Sequence, residues 1–206
     1  MALVAGAIPS WTPDNRQESR LALRLGISLG AIGAAARTAS AIVASDGPAW
    51  PSYAGAGSFV PVLAATTGPV LAMLTRIVFL LLIVAAANRL TAGWTRRRVL
   101  GGALLVIVGG MLGAAGSPLN LVPWTASAVG VGALLAAAYV IVLRHDVSVV
   151  PIAAAVMTMA GALRDGSMRA YPGALSGTIA GVVVMGCVAY AWFRALRARS
   201  EMKAAE

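Results

Sequence analysis

Acidic residues, cysteine, histidine and charge in general are scarce in this chain of 206 residues, and each scarcity removes a class of protein. Cys187 is the only cysteine, so no disulfide scaffold exists. A zinc site needs about three His, Cys or acidic ligands, and one histidine and one cysteine on separate segments argue against bound metal. Charged residues make up 11% of the chain, against about 25% in soluble domains, which excludes a soluble globular protein. Disorder is excluded as well, because a disordered chain needs low hydrophobicity. What is present points one way: 59% of residues are hydrophobic, 23 more are glycine, and the mean hydropathy is +0.84. The expected fold is all-α, a polytopic membrane helix bundle.

Crossing about 30 Å of hydrocarbon takes about 20 apolar residues at 1.5 Å each. Six stretches qualify, near residues 25–44, 61–88, 99–116, 124–143, 147–163 and 173–193. The second is longer than needed and contains Gly68-Pro69; the fifth is short, with Pro151 near its start. Lys and Arg collect on the cytoplasmic side of membrane proteins, which tests the count. Arg16, Arg20 and Arg24 precede the first span, Arg89, Arg96, Arg97 and Arg98 separate the second from the third, and Arg194, Arg197, Arg199 and Lys203 follow the sixth. All three groups fall on one side, giving six spans with both termini cytoplasmic. Arg144 with Asp146 agrees, whereas Arg164, Asp165 and Arg169 put a small positive excess on the exterior, so the count is weakest at the fifth span. The expected division is an interfacial segment over 1–20, a six-helix transmembrane domain over 21–195 and a charged cytoplasmic tail over 196–206. Residues 1–8 are apolar without a basic leader and read either as interfacial or as the trailing end of a helix from a longer chain. Trp11, Trp50, Trp94, Trp124 and Trp192 sit near span ends, where an amphipathic ring prefers the headgroup layer.

The formal charge of +9 is spread over membrane-flanking segments with no soluble domain to carry it, so the expected partners are the bilayer and its anionic cytoplasmic-face lipids, not nucleic acid. Lipid offers helices no hydrophobic reason to associate, so small residues must let them pack closely. Gly26, Gly30 and Gly33 in the first span, Gly109 and Gly113 in the third, and Gly173, Gly177 and Gly181 in the sixth form such stripes, expected to pack within the chain.

Intramembrane chemistry usually uses ionisable groups inside spans. All seven acids, Asp14, Glu18, Asp46, Asp146, Asp165, Glu201 and Glu206, lie outside the spans or at their edges. No acidic proton relay, catalytic residue or cofactor site is therefore expected. Cys187, mid-span, reads as an inert packing thiol, and His145 as an interfacial loop residue. Arg37 and Arg76 break the pattern, since a charge deep in a span costs at least about 2.5–3.5 kcal/mol. Each is twelve positions from its presumed cytoplasmic boundary, on helices running in opposite directions, so both should reach roughly 18 Å depth and could face one another. They would need carbonyls, hydroxyls such as Thr38, Ser40 and Thr75, water or an external anion. Either they are structural, or they form a ligand site for a phosphate, carboxylate or lipid headgroup.

The segments Pro48-Ala-Trp-Pro-Ser-Tyr-Ala-Gly-Ala-Gly57, Asn88-Arg-Leu-Thr-Ala-Gly-Trp-Thr-Arg-Arg97, Leu163-Arg-Asp and Ala170-Tyr-Pro-Gly173 resemble a non-catalytic membrane region of large bacterial proteins of the CAAX protease and bacteriocin-processing (CPBP) family, over most of residues 9–195. The family's catalytic Glu-Glu pair is absent, Ile141 stands four residues before His145 where an aromatic is expected, and position 149 is Val. The resemblance thus implies an accessory or scaffold module of a bacterial inner membrane, working with a protease-like membrane partner, and no protease activity of its own. The composition, rich in Ala, Gly and Arg and poor in Lys, suits a bacterium of high GC content. The alternative, from the buried arginines, is a small permease or a lipid- and anion-handling protein using Arg37 and Arg76.

Overall fold

A computed structural model describes residues 15–43, 61–92, 94–113, 121–168 and 173–204. The side chains of Arg37 and Trp124 lie outside the described residues, as do residues 1–14 with Trp11, residues 44–60 with Trp50, and Arg169. The described chain is all-helical: α1 Asn15–Val43, α2 Pro61–Thr91, α3 Arg98–Gly113, α4 Leu121–Ala138 continued by a π-helical turn Tyr139–Leu143, α5 Val149–Met168 and α6 Ala174–Ala204. Each coincides with one of the six apolar stretches. Among the described residues three helical segments are long and apolar enough to cross a membrane: Val62–Thr91, Val149–Met168 and Ala174–Arg199. The fifth stretch, where the sequence count was weakest, is one of them and is half buried.

Local chemistry explains why α5 starts where it does. Asp146 Oδ1 accepts from the Ser148 backbone N–H at 2.9 Å and from its hydroxyl at 2.6 Å, occupying a donor that has no helical partner. Pro151 falls in the first turn, where a missing N–H costs nothing. The other carboxylate oxygen of Asp146 accepts from Arg197 of α6 at 3.0 Å. Arg197 also donates to the Glu18 carbonyl and the Ser19 hydroxyl of α1, with its guanidinium over the Phe193 ring. One arginine therefore joins the starts of α1 and α5 to the end of α6. These three ends share one side of the molecule, so α1 and α5 are parallel and α6 runs against both.

The glycine stripes decide which helices touch. A Cβ at Gly26 would lie 2.9 Å from Ile152, one at Gly30 2.7 Å from the Ala153 carbonyl oxygen and from Val156, and one at Gly33 2.9 Å from Met157. Numbers rise together on α1 and α5, again a parallel pair. On α6, Gly177 and Gly181 meet Val62, Ala65 and Thr66 of α2, also in parallel order, and the Thr66 hydroxyl lies 2.9 Å from the Gly177 carbonyl. Gly109 meets Gly132 and Leu135, and Gly132 sits directly on the Val106 backbone, closing α3 onto α4. Packing within the chain is thus the use of the stripes in all three places. The contacts run α1–α5–α2–α3–α4 and back to α1, a ring of five helices, with α6 in the outer groove between α2 and α5.

Outside this ring the surface is apolar: Val99 is 85%, Met111 74% and Ile141 71% exposed, and Leu71, Ile107 and Val183 are similarly uncovered. Water does not tolerate that much contiguous apolar surface on a monomer, whereas hydrocarbon does. Gly30→Ala and Gly132→Ala should each destabilise the bundle by about 1–3 kcal/mol, because backbone must move to admit the methyl group. Gly161→Ala, in α5 with nothing within 4 Å of the added carbon, is the control. Thermal unfolding in detergent should show lowered midpoints for the first two variants and none for the third.

Candidate functional site

The five-helix ring encloses a partly open cavity of about 100 Å³. Its wall is built by Leu29, Gly30 and Gly33 of α1, Leu80 of α2, Gly109 of α3, the inward face of α4, and Ala153, Ala154 and Met157 of α5. The cavity exists because small residues on α1 and α5 leave room where α4 offers leucines from one side only. Among the described residues lining it, Arg76 alone is charged. Along α5 the lining runs from Met157 to Val150, about 10 Å at 1.5 Å per residue. Arg76 marks the Met157 end, with Leu143 and Val150 at the other.

Arg76 is half-buried, and its Nη1 donates to the Thr158 hydroxyl at 2.7 Å. That hydroxyl gives its own proton to the Ala154 carbonyl at 2.7 Å, so its lone pairs are turned toward the guanidinium. Thr158 is buried and neutral, and its hydroxyl orients the guanidinium. Sequence reasoning missed this partner. The hydroxyls it named behave otherwise: Thr38 and Thr75 are exposed and bond back to Ala34 and Leu71 of their own helices, and Ser40 lies outside the described side chains. The available signal was Thr158 itself, a hydroxyl in the middle of an apolar stretch.

Arg37 belongs to α1, one turn beyond Gly33, which touches Met157. Its backbone is therefore about 6 Å farther along the bundle than the contact of Gly33 with Met157. The expectation that the Arg37 and Arg76 guanidinium groups reach equal depth and face one another falls on a side chain outside the described residues.

Two further expectations are revised. Cys187 is exposed on α6, not packed. The inward stripe of α6 runs through Gly181, Met185 and Ala189, and Cys187 lies two residues off it, on the outer face. Trp94 turns inward. The α2–α3 connection places Ala92, Trp94 and Arg97 at φ of 47°, 69° and 49°, the left-handed region that non-glycine residues seldom occupy. The buried Thr91 hydroxyl accepts the Trp94 N–H at 3.0 Å, and the indole then lies 5.4 Å from the Tyr139 ring. Trp192 likewise packs against the core. His145 is exposed in the turn after the π segment and accepts from Arg144 Nε at 2.7 Å.

Tyr139 opens the π turn, is fully buried, and its hydroxyl has no hydrogen-bond partner among the described residues. A π turn carries one extra residue per hydrogen-bonded loop and is often retained for a local purpose. Here it joins the wall of the cavity at Ala138 and Leu143 to the Trp94 contact. An unpaired buried hydroxyl costs about 1–3 kcal/mol. Tyr139→Phe should accordingly raise the unfolding midpoint, by an amount equivalent to about 1 kcal/mol, while Tyr139→Ala lowers it; a destabilised phenylalanine variant would mean the hydroxyl is satisfied in the folded protein.

Comparison of the chain with protein-family models, with curated proteins and with solved structures finds no match. The geometry of the interior is therefore what a functional reading has to rest on.

Proposed function

We propose that this is a multi-pass protein of a bacterial cytoplasmic membrane, with six spans and both termini in the cytoplasm, that holds an anionic small molecule or lipid in the cavity at Arg76. The observation that carries the reading is the Arg76 guanidinium, held by the Thr158 hydroxyl, at one end of a cavity whose other described lining residues are apolar. A guanidinium at the edge of an apolar cavity offers charge-assisted donors to an anionic ligand entering it. In membrane proteins an interior arginine of this kind generally marks a ligand or ion path. Arg37, one turn beyond Gly33 in the sequence of α1, is the second arginine that the reading assigns to ligand contact. Support for six spans comes from the alternation of apolar helices with arginine-rich connections and from the shared end of α1, α5 and α6 at Arg197.

The native mass spectrum of the chain purified from its own membranes in mild detergent tests the site. An anionic adduct should accompany the wild type and fall at least tenfold in occupancy in Arg76→Ala, with a smaller loss in Arg37→Ala. Equal occupancy in wild type and both variants would overturn the ligand reading. A second protein at constant stoichiometry, with no adduct, would instead favour the accessory-module role that the CPBP resemblance implies.

Membrane placement has its own test, since Cys187 is the one thiol and faces outward on α6. In intact membranes a water-soluble maleimide should leave it unlabelled, and unfolding in SDS should expose it fully. Prompt labelling in membranes would remove α6 from the list of spans.

A further inference from the structure

We infer that the connection between α2 and α3 binds one anionic phospholipid, its phosphate at Arg96 and Arg97 and an acyl chain along the outer face of α3. The inference is separate from Arg76 and takes from the reading above only that the bundle lies in a bilayer. Charge is the first observation. Residues 88–113 hold four arginines, Arg89, Arg96, Arg97 and Arg98, and no Asp or Glu. The other basic ends carry acids of their own: Glu18 stands two residues from Arg20 on α1, and Asp146 pairs with Arg197 of α6. Positive charge at a membrane surface attracts anionic lipid, and this connection is where its own segment offsets it least.

The second observation is that the backbone holds the charges in place. The Thr95 and Arg96 backbone N–H groups both donate to the Thr91 carbonyl at 2.9 Å, and the Thr95 hydroxyl donates to the Ala92 carbonyl at 2.7 Å. Arg98 Nε donates to the Trp94 carbonyl at 2.7 Å, so Arg98 helps to build the turn, while Arg96 and Arg97 are exposed. Trp94, seated against Tyr139, pins the middle of the turn to the core. The left-handed backbone of Ala92, Trp94 and Arg97 is costly, and such conformations persist where a local geometry serves a purpose. Charges fixed by their backbone lose less freedom on binding than charges on a loose loop.

The third is the apolar surface that follows. Val99 and Leu100 are exposed directly after the arginines, and Leu100, Ile107 and Met111 continue down one face of α3. From Leu100 to Met111 is about 16 Å at 1.5 Å per residue, close to the roughly 15 Å of hydrocarbon in one leaflet. A phosphate at Arg96 and Arg97 therefore leaves an acyl chain of the same leaflet against the whole stripe, whereas a soluble phosphate would use the arginines alone.

The experiment places the full chain in phosphatidylcholine nanodiscs containing a minority of phosphatidylglycerol and follows the lipid retained by native mass spectrometry. The wild type should keep one phosphatidylglycerol in preference to phosphatidylcholine. Occupancy should fall at least about tenfold in Arg96→Gln/Arg97→Gln and persist in Arg96→Lys/Arg97→Lys, which keeps the charge. Arg20→Gln/Arg24→Gln, on exposed arginines of α1, should leave it unchanged. A diazirine near the end of the phosphatidylglycerol acyl chain should cross-link to Ile107 or Met111 in the wild type and not in Arg96→Gln/Arg97→Gln. Equal loss of lipid in both glutamine pairs would mean attraction by net charge alone and would overturn the site. Cross-links spread evenly over the outward faces of all the helices would overturn the acyl path. A chain that does not enter nanodiscs at all would count against the bilayer placement itself and take this inference with it.

Discussion

Helix against helix at the distance of a missing side chain is the contact on which this fold is built. Where lipid surrounds a bundle, burying an apolar side chain gains little over leaving it in hydrocarbon, and stability has to come from dispersion between closely approaching backbones and from a few polar bonds. In this chain the backbones meet at glycine in three of the main pairings: Gly30 on Ala153, Gly132 on Val106, Gly177 on Val62. The polar bonds occur at the same places, Thr66 beside Gly177 and Arg76 on Thr158. Since α5 touches α1, α2 and α6, it is the element whose position the others share, and it has the most buried apolar segment.

The same close packing creates the cavity. Helices drawn together at glycine on one flank cannot also close on the opposite flank unless that flank is equally small, and α4 presents leucines there. The gap that results falls beside Arg76, and Thr158 holds the guanidinium at its end through a hydroxyl whose proton is already committed to Ala154. Charge, apolar wall and opening are thus three outcomes of where small residues were placed.

Helix positions were legible in the sequence because each is a run of apolar residues ended by glycine, proline or arginine, and all six coincide with the structure. The use of the glycine stripes was legible for the same reason, a spacing of four marking one face. The pairing was not, since a stripe on α1 says it will meet something but carries no sign that the partner is α5 or that the two run in parallel. Trp94 near a helix end read as a headgroup anchor, and its inward turn depends on three left-handed residues that no glycine announces. Cys187 read as buried because mid-span position fixes depth and says nothing of azimuth. Of the two candidate arginines, Arg76 was legible as a charge inside an apolar run, whereas its partner Thr158, 82 residues later, carries no sign in the spacing.

Parallel pairing of the first helices with the last has a consequence for biogenesis. The Thr66 hydroxyl reaches a carbonyl made 111 residues later, and Arg76 a hydroxyl made 82 residues later. A ribosome delivering this chain from its amino end exposes the close-packing glycine face of α1 and the Thr66 face of α2 before the helices that cover them, α5 and α6, have been made.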